Sequence, residues 1–301
     1  MAGDLYILCP GQGAQFVGMA KSLHDSSDSA RQLFQTAARV LGFDLAAVCF
    51  SGPEDRLNQT DVSQPAIYVA GIASFRAAIE SGMFDSAAVT AYAGLSLGEY
   101  TALHLSGVFG FEDGLRLVAQ RGKYMQEAAV ASPSGMVALI GADEPAARKL
   151  CEENAQGEVL VPANFNAPGQ IVISGSNAAC QRAVAAADAI GIRAMLLKVA
   201  GAFHSPLMQT AADKMAAELA NVSFSQPAKT VYSNVTARPH AEPKAIQRLL
   251  VEQIVSPVRW GQIMQTLVLP PEARWIELSP GKTLAGLAKR ISRRLVVESI
   301  G

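Results

Sequence analysis

The residues that could do chemistry begin with Ser96, at the centre of Gly94-Leu95-Ser96-Leu97-Gly98, a G-x-S-x-G pattern. The approach, Ala88 to Ala93, has the apolar look of a short buried strand, and the exit, Glu99 to Ser106, reads as a helix. Strand, sharp turn with Ser at its apex, helix is the context that a nucleophile elbow requires. Glycines two before and two after the Ser let the chain reverse without Cβ clashes. The hydroxyl then stands at a helix N-terminus, where N–H groups and the helix dipole stabilise negative charge on an acyl oxygen. The same pattern also arises by chance in a chain with 25 glycines, so the other segments have to decide.

His204 and Arg121 are the next candidates. His204 lies in Gly201-Ala202-Phe203-His204-Ser205-Pro206-Leu207-Met208, on a loop at a helix entrance. It reads either as a capping or surface His or as the base for Ser96, because a Ser needs a nearby imidazole to become a nucleophile at neutral pH. His24, His104 and His240 have weaker claims. Arg121 falls one position off the apolar stripe of its helix. It is either a solvated helix arginine or a fixed cation for a substrate carboxylate, where bidentate geometry favours Arg over Lys.

The elements that must position these groups follow in chain order. Leu5 to Cys9 reads as a buried strand, feeding the Gly-rich turn Pro10-Gly11-Gln12-Gly13-Ala14-Gln15. Neither G-x-x-x-x-G-K-[ST] nor G-x-G-x-x-G is present, which removes nucleotide binding there. A backbone N–H near Gln12 is better used as a second oxyanion donor. Helices are expected over 29–41, ended by Gly42, from Pro65 as a first helical residue, and over 112–129. The stretch 52–62 reads as a loop. From Gly135 the pattern becomes strand 136–140, helix 144–154, strands 158–163 and 170–174, helix 177–190, strand 193–199. That βαββαβ order is the ferredoxin-like signature. The turn Asn164-Phe165-Asn166-Ala167-Pro168-Gly169 is expected to join its middle strands, its asparagines read most simply as turn residues, with an amide facing a cleft as the alternative. A helix from Ser205-Pro206, a strand over 231–234, helices over 243–255 and 258–267, a strand over 275–278 and a helix over 281–291 complete the chain. Strands alternating with helices imply a parallel sheet covered on both faces.

Composition narrows the function. The 301 residues are half hydrophobic, with formal net charge −1. No basic run beyond Arg293-Arg294 suggests nucleic acid. Cys9, Cys49, Cys151 and Cys180 are scattered without C-x-x-C, as expected of free thiols in a reducing compartment rather than a disulfide or metal framework. No signal peptide or membrane-length apolar run stands out. The expectation is a cytoplasmic protein without metal or prosthetic group.

Eight segments, in order, resemble one known family: residues 10–15, Leu57-Asn58-Gln59-Thr60 with Gln64-Pro65-Ala66, Ser96-Leu97-Gly98-Glu99-Tyr100, Arg121-Gly122-Lys123-Tyr124-Met125-Gln126, Asn164 to Gln170, Phe203 to Met208, Asn234-Val235 and Ser279-Pro280-Gly281-Lys282. These are similar to the malonyl-CoA:acyl carrier protein transacylases of bacterial fatty-acid synthesis, over essentially the whole chain. The resemblance implies an α/β fold: an α/β hydrolase-like main domain with a parallel sheet (1–131 and 200–301) and an inserted ferredoxin-like subdomain (132–199). It implies Ser96 as nucleophile, His204 as base, and the backbone N–H groups of Gln12 and Leu97 as the oxyanion hole. Arg121 would bind the malonyl carboxylate, and the backbone carbonyl of Arg259 would orient His204, which explains the missing triad acid. Gln64, Leu95, Asn164 and Phe203 would line the pocket, Leu95 replacing the family's usual His. The implied partners are malonyl-CoA and acyl carrier protein, with no cofactor of the chain's own and a monomer holding the whole site. A free-standing polyketide acyltransferase, malonyl or otherwise, a serine hydrolase and a non-catalytic carrier-protein binding module are the alternatives.

Overall fold

The computed structural model describes residues 4–267 and 273–301. In chain order β1 (Leu5–Cys9) precedes a run of helices, α1 (Lys21–Ser26), α2 (Asp28–Leu41), α3 (Leu45–Ser51), α4 (Glu54–Leu57) and α5 (Thr60–Glu80). The elbow segment is β2 (Val89–Gly94) followed by α6 (Gly98–Leu105), and α7 (Phe111–Ala131) leads into the insert. The insert comprises β3 (Ser134–Ile140), α8 (Glu144–Ala155), β4 (Leu160–Ala167), β5 (Gln170–Ser176), α9 (Asn177–Ala187) and β6 (Arg193–Leu196). The chain returns through α10 (Gln209–Ala220), β7 (Thr230–Val231), α11 (Pro243–Val255), α12 (Trp260–Leu267), β8 (Arg274–Glu277), α13 (Thr283–Ile291) and β9 (Val297–Ser299).

The main sheet has the order β7-β2-β1-β8-β9, with every pairing parallel. The two-residue period of β1 serves both faces. Leu5, Ile7 and Cys9 join the larger core with α2, α5, α7 and α10, whereas Tyr6 and Leu8 pack with residues of α12 and α13. A parallel strand buried on both faces needs a continuous apolar run, and Leu-Tyr-Ile-Leu-Cys supplies one. The insert is an antiparallel sheet of order β4-β5-β3-β6, its core built with α8 and α9. This is the expected α/β architecture with a ferredoxin-like strand order. No single helix among the described residues is long and apolar enough to cross a membrane.

Several local expectations need correction. Asn164 to Ala167 are not a turn but the end of β4, leaving Pro168-Gly169 as the connection. Tertiary pairing overrides the poor strand propensity of Asn here. Val258 of the main body donates its N–H to Ala163 O (2.8 Å) and accepts from Phe165 N (2.9 Å), so β4 is held from both sides. The guanidinium groups of Arg148 and Arg259 both lie over the Phe165 ring, at 5.8 and 5.7 Å, closing the same junction. Residues 52–62 are mostly helical, because Pro53 precedes α4 and α5 already starts at Thr60. Pro65 therefore falls inside α5, where it offers no N–H to the carbonyl four residues earlier. The strand from 193 stops at Leu196, the strand from 231 shrinks to β7, and β9 has no counterpart in the sequence reading.

Glu277, fully buried in β8, closes the far side of the sheet. Its carboxylate accepts from Leu284 N (2.8 Å), Ala285 N (2.8 Å) and Ser299 Oγ (3.2 Å), capping α13 from the end of the strand that precedes it. Burial pushes its pKa up, against these bonds. Glu277→Ala orphans one buried and one half-buried helix N–H group and is expected to cost about 2–3 kcal/mol, measured as a shift in urea-unfolding midpoint at unchanged slope.

Candidate active site

The elbow is shaped by backbone contact. β2 ends at Gly94 beside the end of β1, and Leu95 N donates to Cys9 O at 3.1 Å. A Cβ on Gly94 would lie 1.9 Å from the carbonyl carbon of Gly98, and one on Gly98 would lie 2.0 Å from Cys9 O. Only glycine fits at either position. The strain itself sits on Ser96, at φ 52°, a left-handed conformation that side chains rarely adopt. It is maintained by two long-range bonds. Ser96 N donates to Asn234 Oδ1 (2.6 Å), and Ser96 O accepts from Gln253 Nε2 (3.0 Å). Asn234 in turn donates through Nδ2 to Gly94 O (2.7 Å).

His204 arrives on a loop tied to the insert. Ser174 Oγ of β5 donates to Phe203 O (2.6 Å), and Ala202 N donates to Ser134 Oγ of β3 (3.1 Å). His204 also has a positive φ, 58°. The outcome is a 2.8 Å contact between Ser96 Oγ and His204 Nε2. His204 Nδ1 lies 2.7 Å from the backbone oxygen of Gln253. A carbonyl only accepts, so Nδ1 carries the proton and Nε2 is free to accept from the hydroxyl. The expected orienting carbonyl of Arg259 is thus replaced by that of Gln253. The reason is local: Gln253 lies in the last turn of α11, whose carbonyls have no helical partner. Arg259 instead donates its backbone N–H to Asn234 O at 2.9 Å.

Arg121 is buried, at 1% exposure, which removes the solvated-helix reading. Its Nη2 donates to Ser96 Oγ (3.1 Å) and Gln253 Oε1 (2.9 Å), and its Nη1 to Gln64 Oε1 (2.8 Å). Gln64 was expected to line the pocket; the structure places it behind Arg121 as a holder. Leu95, Asn164 and Phe203 do line the cleft, which has a volume of about 550 Å³ and lies between the two subdomains. Met125, Met136 and Lys198 are further lining residues that the sequence did not single out.

The sequence reading also missed a buried polar support beneath the elbow. Glu99, the second residue of α6, accepts from Gln253 Nε2 (2.6 Å) and Asn234 N (3.1 Å) on one oxygen. Its other oxygen meets His240 Nε2 at 2.6 Å. A signal for Gln253 existed: it follows Ile246 and Leu250 at helical spacing, on the buried face of α11. An amide on an apolar stripe needs polar partners inside.

Burial, then the positive charge of Arg121, push the His204 pKa down to about 4, with the Gln253 carbonyl acting against them. The imidazole is therefore neutral, and a base, throughout the physiological range. Labelling of Ser96 by a fluorophosphonate is expected to stay flat with pH above 6 and to fall only toward about 4. Arg121→Ala should move that acid limb upward, because one of its two causes is gone. The stability linkage has a definite sign. The unfolded His titrates near 6.5, so the unfolded chain binds the extra proton between about 4 and 6.5. Stability from this residue is complete above 6.5 and is lost as pH falls toward 4.

Comparisons with known proteins agree with this geometry. The family model described as acyl transferase domain matches residues 6–294. The chain is 41% identical to the malonyl CoA-acyl carrier protein transacylase of Salmonella typhimurium over 292 residues, 97% of this chain and 94% of that one. It is 38% identical to the Bacillus subtilis protein of the same name, covering 96% and 90%. The solved structure of the Coxiella burnetii transacylase superposes with TM-score 0.95 at 37% identity, covering 99% of this chain and 94% of that one. A type II polyketide acyl-carrier protein in complex with its malonyl-transacylase matches at TM-score 0.92 and 38% identity, covering 98% and 94%. The chain belongs to the acyl transferase domain family and is an acyltransferase.

Proposed function

We propose that the chain transfers a malonyl group from malonyl-CoA to the phosphopantetheine thiol of an acyl carrier protein through a malonyl ester on Ser96. The observation that carries this reading is the buried guanidinium of Arg121, hydrogen-bonded to the Ser96 hydroxyl and, among the described residues, in no ion pair. A fixed cation beside a nucleophile selects an acyl group that ends in a carboxylate.

The substrate carboxylate pairs with Arg121, which places the thioester carbonyl at Ser96 Oγ. His204 Nε2 takes the hydroxyl proton as Oγ attacks. The oxyanion is received by the backbone N–H groups of Gln12 and Leu97. Neither N–H has a protein acceptor among the described residues, and Leu97 stands at the N-terminus of α6. Each such donor is typically worth about 3 kcal/mol of transition-state stabilisation. The tetrahedral adduct collapses, the coenzyme A sulfur leaves with the proton from His204, and a malonyl-serine ester remains. The carrier thiol then gives its proton to His204 and attacks that ester, and Ser96 regains a proton as it departs. The substrate carboxylate also screens Arg121 from His204, which strengthens the base in the complex.

The pantetheine arm runs along the insert, past Asn166 and Gln170, which line the cleft. Phe203 and Leu95 bound the acyl end. The chain needs no cofactor of its own for these steps and acts as a cytoplasmic monomer, since one chain carries every residue named. Bacterial relatives with this activity favour fatty-acid synthesis as the consumer; the polyketide carrier complex at 38% identity supports a second reading, loading of a polyketide carrier.

Intact mass after brief exposure to malonyl-CoA tests the reading. A malonyl adduct is expected on the wild type and not on Ser96→Ala, and holo carrier protein should discharge it. Release of free malonate instead would make the protein a hydrolase, and absence of any adduct would leave a carrier-binding module. Arg121→Ala is expected to lower malonyl loading at least a hundredfold, about 3 kcal/mol, and acetyl loading far less.

A further inference from the structure

Arg121 presents an unusual arrangement for a buried cation. Among the described residues its hydrogen-bond partners are the neutral amides of Gln64 and Gln253 and the Ser96 hydroxyl, the Tyr100 ring packs 5.5 Å away, and its Nε is buried with no partner. A buried guanidinium normally lies against a carboxylate. The buried carboxylate of Glu99 reaches Arg121 only through the Gln253 side chain, which bridges the two. Gln253 Nε2 donates to Glu99 Oε2 at 2.6 Å while its Oε1 accepts from Arg121 at 2.9 Å.

The direction of that amide is fixed from its far end. Glu99 offers only acceptors on this side, and Ser96 O is a second acceptor for the same Nε2, at 3.0 Å. Both turn the NH₂ away from Arg121 and the carbonyl toward it. Glu99 itself cannot swing: Asn234 N and His240 Nε2 hold its two oxygens, and the side chains of Glu99 and His240 are both fully buried.

We propose that Gln253, oriented by Glu99, is a positioning residue that sets acyl specificity: it holds Arg121 with a neutral acceptor and keeps it from pairing with the protein's own carboxylate, so that the only carboxylate able to neutralise Arg121 is the substrate's. Glu99 is near enough to favour the charged guanidinium against its burial but does not contact it. The selectivity for a carboxylated acyl group then rests on the order carboxylate, amide, guanidinium along one line. This inference rests on the proposed role of Arg121 and adds to it.

The order can be reversed with two isosteric changes. In the double variant Glu99→Gln with Gln253→Glu the bonds between positions 99 and 253 and between 253 and Arg121 can re-form, the donor to Ser96 O and the acceptor for Asn234 N are lost, and the carboxylate now touches Arg121. Malonyl loading is expected to fall at least tenfold more than acetyl loading, with the loss in the KM for malonyl-CoA rather than in kcat. Gln253→Met keeps the backbone carbonyl on His204 but removes the acceptor for Arg121 together with the donor to Ser96 O and Glu99. Loss of the Ser96 contact lowers both acyl groups alike, so the readout is the malonyl-to-acetyl ratio, which should also fall, by a smaller factor. An unchanged ratio in both variants overturns the proposal, as does an equal loss of both acyl groups in variants whose melting temperature matches the wild type. Arg121→Ala is measured alongside. If it leaves the ratio unchanged, the assigned role of Arg121 fails; if it collapses the ratio while both other variants keep theirs, only the role of Gln253 fails.

Discussion

A guanidinium buried without a contacting counter-ion among the described residues is the constraint to which the rest of the site answers. Taking such a charge out of water is costly, and the cost falls on whatever surrounds it. Here the surroundings are side-chain amides, a hydroxyl and the ring of Tyr100 at 5.5 Å. The arrangement also accounts for the missing third member of a Ser-His-acid set. A carboxylate on His204 Nδ1 would add a second claim on Arg121 and hold the imidazole protonated. A helix-terminal carbonyl fixes the same tautomer without introducing charge. The depressed pKa of His204 follows first from its burial and then from the same positive neighbour.

The site is assembled from segments far apart in sequence, and the parallel sheet is what brings them together. The turns after β1 and β2 leave the same edge of adjacent strands, which puts Gln12 beside Ser96. Ligands commonly bind at that carboxyl edge in open α/β sheets. The insert supplies the opposite wall and, through Ser134 and Ser174, the tether of the His204 loop. Its attachment at Val258 fixes where that wall stands. The packing of one small sheet against the body thus determines how close the imidazole comes to the hydroxyl.

The sequence showed those parts of the fold and site that are written in local pattern. The elbow was legible because two glycines flank Ser96 between an apolar run and a helix, and the insert because its strands and helices follow a known order. Arg121 was ambiguous, since periodicity put it at the border of a stripe and could not reveal that α7 packs against α5 there. The turn expected at Asn164 failed because a distant strand partner outweighs local preference. His240 sits in a loop with no periodicity to mark it as buried. Gln253 sits on a stripe that could have marked it, but its partners come from α6, α7 and the elbow, and no spacing in one dimension names them.

The two bonds that hold the strained Ser96 backbone come from Asn234 and Gln253, both in the last quarter of the chain. During synthesis the serine and its turn emerge from the ribosome long before the residues that stabilise them. A nascent chain of two hundred or so residues therefore carries Ser96 without its left-handed lock, without an oriented imidazole and without a seated arginine. Acyl thioesters in the cell meet no armed nucleophile until the closing helices have packed. The order of residues along the chain acts as a safety catch, and it makes completion of folding and onset of reactivity one event.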